Sequence, residues 1–99
     1  MLTHEQIVQA VEKAATKFPL NKVSYFGSYA DGKATEESDL DLLVEFGDDG
    51  SLTLLDIVRL EHSLQDELNT RVDVVEIPLT KNAQKHLIIK KTVAVYERA

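Results

Sequence analysis

An α+β (mixed α/β) fold, a sheet with helices packed on it, is predicted by three observations. Apolar residues recur at helical spacing in two stretches, around 6–18 and 54–68. Three short apolar runs, 22–26, 40–46 and 72–77, have the length of strands. The two kinds of stretch alternate, with Pro19, the Gly47-Asp48-Asp49-Gly50 cluster and Pro78 as breaks between them.

The elements follow in order. Thr3-x-x-Gln6 is a capping-box signal, and Ile7, Val8, Val11, Ala14, Ala15 and Phe18 follow it at helical spacing. This helix must end before Pro19, because a residue preceding proline is pushed out of the α region. Residues 22–26 read as the first strand, 28–33 as a turn or two of helix, and 34–38 as a polar loop. Residues 40–46 are the second strand, and the Asp48-Asp49 pair beyond it is a turn former. Thr53-x-x-Asp56 caps a long helix whose core stripe is Leu54, Ile57, Val58, Leu64 and Leu68, ending at Asn69-Thr70. Residues 72–77 form the third strand, 79–91 a polar helix, and 93–96 a short final strand or extended tail.

Size and composition narrow the function. A chain of 99 residues makes a single domain, 1–99. It has no cysteine, which excludes disulfides and thiolate metal sites. A net charge of −6 argues against direct, non-specific nucleic-acid binding, which relies on neutralising phosphates with basic residues. No apolar run reaches the roughly 18–20 residues that span a bilayer, and Met1-Leu2-Thr3-His4-Glu5 is no signal peptide. The expectation is a cytoplasmic protein with no membrane contact.

The chemistry concentrates in one stretch, YFGSYADGKATEESDLDLLVEF, from Tyr25 to Phe46. Side chains alternate along a strand, so Asp39 and Asp41 share a face, about 7 Å apart, while Leu40, Leu42 and Val44 take the other. Paired carboxylates repel, and a divalent cation reverses the sign of that energy. Mg²⁺ takes hard oxygen ligands, usually one or two carboxylates plus substrate phosphates. Gly27 permits a tight turn, and Ser28 adds a hydroxyl beside backbone N–H groups that suit an anion. Phosphate cradle, spacer and carboxylates together describe a site for a nucleoside triphosphate and Mg²⁺. A solvated strand end is the alternative for Asp39 and Asp41 alone; Gly27-Ser28 in register argues against it.

This stretch resembles the G-S-x(10)-D-x-D signature of the DNA polymerase β-like nucleotidyltransferases. The short chain and its later RVDVVEI resemble the minimal nucleotidyltransferases (MNT), antitoxin partners of HEPN toxins. The resemblance implies the nucleotidyltransferase fold, a mixed sheet with the carboxylates on adjacent strands. It implies that Asp39, Asp41 and Asp73 are catalytic and hold two Mg²⁺ ions, and that Gly27 and Ser28 bind the nucleotide phosphates. Asp73 interrupts an apolar strand, where an unpaired carboxylate is costly. The resemblance makes it a possible general base; the alternative is a surface acid on an edge strand. Arg71 and Lys33 are placed either to meet a phosphate or to remain solvated.

The implied activity is transfer of AMP from ATP to a hydroxyl, a tyrosine, of a HEPN toxin, in a hetero-oligomer. A docking antitoxin that is inactive or catalytically weak is the second reading. Transfer to a small molecule is a third, and it normally needs an acceptor-binding domain that this chain has no length for. One position departs from the pattern: Asp31 stands where family members commonly carry arginine. An acid facing the phosphates would oppose nucleotide binding; one facing solvent would matter little.

Overall fold

The computed structural model describes residues 1–47, 54–77 and 91–98. Along these the elements are α1 (His4–Ala14), β1 (Leu20–Phe26), β2 (Leu40–Phe46), α2 (Leu54–Leu68), β3 (Val72–Ile77) and β4 (Val93–Glu97). The strands form a four-stranded mixed sheet in the order β3-β2-β1-β4. β2 pairs antiparallel with β1 and parallel with β3, and β4 is antiparallel to β1. The α+β expectation holds, with α2 as the crossover that parallel pairing of β2 and β3 requires.

α1 begins where its cap dictates. The Thr3 hydroxyl accepts from the Gln6 N–H, and the Gln6 side chain accepts from the Thr3 N–H at 2.8 Å. Ile7, Ala10, Val11 and Ala14 form its buried stripe. These pack with Leu40, Leu42, Val44 and Phe46 of β2 and with Leu60 and Leu64 of α2 in one core. Both helices therefore lie on the face of β2 opposite the one that carries Asp41, Leu43 and Glu45.

Four expectations need correction or restriction. β1 starts at Leu20, not residue 22, with a register shift between Leu20 and Lys22. Asn21 donates its side-chain amide to the Phe46 carbonyl there, so a polar residue sits inside the strand. Residues 27–32 are a turn rather than a helix. Gly32 at φ +73 explains it: the left-handed conformation stops helical propagation after a single turn. In α2, Leu54 and Val58 are exposed, and Leu60, absent from the predicted stripe, is fully buried. The proposed cap at Thr53, the Asp48-Asp49 turn and nearly all of the proposed 79–91 helix lie outside the described residues. The final strand is real and extends to Glu97.

α2 also closes the outer edge of β3. Val72 N–H donates to Gln65 Oε1 at 3.1 Å, and Val74 N–H donates to Glu61 Oε2 at 2.8 Å. Among the described residues no helix is long and apolar enough to cross a membrane.

Candidate active site

Three backbone segments meet at one end of the sheet. β1 ends at Phe26, paired with Asp41, and Asp41 is paired in turn with Asp73 of β3. The turn after β1 therefore sits beside Asp41, with Asp73 on its other side. Asp39 immediately precedes β2, and Arg71 immediately precedes β3. The Leu40 N–H donates to the Arg71 carbonyl at 2.9 Å, which ties the two strand heads together.

Gly27 is required twice over. Its φ of +73 lies in the left-handed region that side chains disfavour. A Cβ built there would stand 2.5 Å from Asp41 Oδ2, closer than any contact can tolerate. The absence of that side chain is what lets the turn and the carboxylate occupy adjacent space. The turn itself is closed by Asp31 N–H to the Gly27 carbonyl at 3.0 Å and Lys33 N–H to the Ser28 carbonyl at 2.9 Å. Ala30 buries into the core, and the Tyr29 hydroxyl accepts from the Leu2 N–H. Tyr25 packs edge-on against both Tyr29 and His4, and its hydroxyl lies 3.0 Å from His4 Nδ1. The tyrosines and His4 are thus scaffold for the turn, and Ser28 is left half-buried at its start.

The electrostatics of the acids are unfavourable as they stand. Burial pushes the Asp41 carboxyl above the usual carboxylate range, and the Asp73 and Asp39 charges push it further the same way. Among the described residues Asp39 has Arg71 as a cationic neighbour, its Nε 3.9 Å from Oδ2 in a largely exposed pair. Such a pair contributes little to stability. By strand parity Arg71 shares a face with Asp73, and the register that sets Asp41 against Asp73 brings Arg71 level with Asp39. Asp31 and Lys33 are both exposed.

Three carboxylates are hard oxygen donors of the kind Mg²⁺ prefers. Among the described residues no three acidic or histidine side chains stand as a ready-made metal group. That arrangement still fits Mg²⁺, which is held by one or two carboxylates and completed by substrate phosphates. Asp41 with Asp73 or Asp39 could supply that share. The five predicted site residues, Gly27, Ser28, Asp39, Asp41 and Asp73, are gathered at one end of the sheet. The contacts of Glu61 and Gln65 on β3 carried no signal in the sequence, where two polar residues on a helix read as a solvated face.

Residues 5–99 match the family described as "Polymerase beta, Nucleotidyltransferase". Protein adenylyltransferase MntA of Thermococcus cleftensis is 33% identical over 99 residues, covering 96% of this chain and 98% of that protein. A crystal structure of a toxin–antitoxin with AMP-PNP superposes with a TM-score of 0.73 at 21% identity, over 98% of this chain and 75% of that one. The structure of a tri-AMPylated Shewanella oneidensis HEPN toxin in complex with an MNT antitoxin gives 0.70 at 18% identity, over 97% and 74%. These two likenesses show a shared fold. With a turn at Gly27, acids in register across β2 and β3, and a family match along nearly its whole length, this chain belongs to the polymerase β nucleotidyltransferases, among their minimal, protein-adenylyltransferase members.

Proposed function

We propose that this chain is an Mg²⁺-dependent adenylyltransferase that moves AMP from ATP to a tyrosine hydroxyl of a HEPN-fold toxin and so acts as its antitoxin. The observation that carries the reading is the alignment of Asp41 with Asp73 beside a glycine turn where an added Cβ would meet the Asp41 carboxylate. The relatives point the same way. A 33% identical protein is named a protein adenylyltransferase, and fold neighbours hold AMP-PNP or an AMPylated HEPN toxin.

Each residue has a task in that reaction. The Gly27-Ser28 turn holds the β- and γ-phosphates through backbone N–H groups and the Ser28 hydroxyl. Asp39, Asp41 and Asp73 would be the carboxylates that hold two Mg²⁺ ions. The metal supplies charge neutralisation, which phosphoryl-type transfer chiefly requires. Asp73 accepts the proton of the incoming hydroxyl. That oxygen bonds to the α-phosphorus, the α–β bridging bond breaks, and pyrophosphate leaves. Asp31 lies exposed in the same turn, where solvent and salt screen its charge from the phosphates.

The test uses ATP labelled at the α- or γ-phosphorus, Mg²⁺, and a HEPN-fold protein encoded next to this chain. Label should pass to the protein from the α-position alone. Transfer of γ-label would mean a phosphotransferase, and no transfer from either would favour inhibition by docking.

A further inference from the structure

We infer that Glu61 and Gln65 of α2 are positioning residues for Asp73, clamping the edge strand that carries it. The inference rests on the reading of Asp73 as the general base. β3 has β2 on one side, through which Arg71 receives the Leu40 N–H. Backbone groups alternate along a strand, so the N–H groups of Val72 and Val74 point to the other side, away from β2. Those are the two groups that the Gln65 and Glu61 side chains accept, at 3.1 and 2.8 Å. They flank Asp73 directly.

The fit follows from element geometry. Glu61 and Gln65 are four residues apart, about 6.0 Å along a helix. Val72 and Val74 are two residues apart, about 6.6 Å along a strand. Two side chains from one helix face can therefore bond alternate amides of an edge strand without distortion. Leu60 and Leu64, the neighbours of the clamping pair, anchor α2 in the core. The clamp is thus mounted on a fixed support.

A clamp has work to do here. Like charges opposite one another on adjacent strands are destabilising. Asp41 and Asp73 stand in that relation, and β3, paired to one strand among the described residues, could relieve it by shifting outward. Anchoring on both sides of Asp73 holds the carboxylate at the spacing the reaction needs. A displacement of about 1 Å can cost a hundredfold in rate.

The test compares Glu61→Ala/Gln65→Ala with Glu61→Gln, which keeps an acceptor. Alanine preserves helix propensity and leaves Leu60 and Leu64 untouched. In the double variant the Val72 and Val74 amides should lose hydrogen-exchange protection, while Leu43 and Glu45 of the central strand, whose N–H groups face β1, keep theirs. Transfer to the HEPN-fold acceptor should fall roughly ten- to a hundredfold in kcat, with KM for ATP nearly unchanged. Glu61→Gln should restore most of both. Unchanged protection at Val72 and Val74 would overturn the clamp. So would lost protection with unchanged kcat, provided Asp73→Asn is inactive in the same assay. An active Asp73→Asn would instead remove the general-base reading, and with it the functional half of the inference. The exchange data would still decide whether the clamp exists.

Discussion

Asp41 of β2 stands directly opposite Asp73 of β3, in a parallel pair, with its carboxylate in the space that a Gly27 side chain would need. The arrangement is poor for stability and good for holding a cation. Burial, then the charge of Asp73, then that of Asp39, raises the Asp41 pKa. A divalent ion with a triphosphate would relieve all three costs.

The first prediction concerns stability against pH. The folded-state pKa of Asp41 lies above its unfolded value, so this group's favourable contribution is present below the ordinary carboxylate pKa. It is lost as pH rises through the raised value. At neutral pH without metal, the ionised carboxylate is a liability. Asp41→Asn should therefore raise Tm at pH 7.5 in EDTA, with the gain disappearing near pH 3. Thermal melts at the two values check it, and a loss of stability at pH 7.5 would show that the acids do not strain the fold.

Gly27 and Gly32 form a built-in control. Both have φ +73, but a Cβ on Gly32 meets nothing within 4 Å. Gly32→Ala should report the backbone cost alone, about 1–2 kcal/mol. Gly27→Ala adds the collision with Asp41 and should be more destabilising, with Mg-AMP-PNP affinity reduced as well. Denaturant unfolding and calorimetry measure the two effects. Equal losses for both variants would mean that Asp41 simply moves aside.

Asp73→Asn separates chemistry from binding. The asparagine is nearly isosteric, and Asp39, Asp41 and the turn remain. Transfer should fall by about 10²–10⁴-fold, the usual contribution of a general base. Mg-AMP-PNP affinity should stay close to wild type. Near-normal transfer would make Asp73 a bystander.

Asp31 is exposed, so its substitution should matter little. Asp31→Arg should change ATP affinity by less than about threefold at 0.15 M salt, where exposed charges are screened over about 8 Å. Any gain should shrink further at high salt. A large gain independent of salt would place position 31 against the phosphates.

Local signals were readable because they are local. The Thr3-Gln6 capping box set the start of α1, and alternation set β2 and β3 to the residue. Where two packings satisfy one pattern, tertiary contact decides. α2 carries apolar residues on more than one face, and the core selected Leu60 and Leu64 while leaving Leu54 and Val58 outside. β1 begins early because the irregularity after Leu20 and the Asn21 bond to Phe46 accommodate a polar residue that propensity alone assigns to a loop. The candidate residues, Gly27 to Asp73, can be named from spacing and resemblance. Their geometry cannot be read that way. That Asp41 faces Asp73, and that Arg71 reaches Asp39, depends on the register of strands separated by a helix. The contacts of Glu61 and Gln65 likewise arise only once α2 lies along β3.

The central claim is covalent transfer, and the intact mass of the acceptor tests it most directly. A HEPN-fold partner is incubated with this chain, ATP and Mg²⁺, separated under denaturing conditions, and weighed. One or more added AMP units are expected, located on tyrosine by fragmentation and absent with Asp39→Asn/Asp41→Asn. A partner that is inhibited equally well by the double variant, and that keeps its unmodified mass, would contradict the account and leave docking as the mechanism.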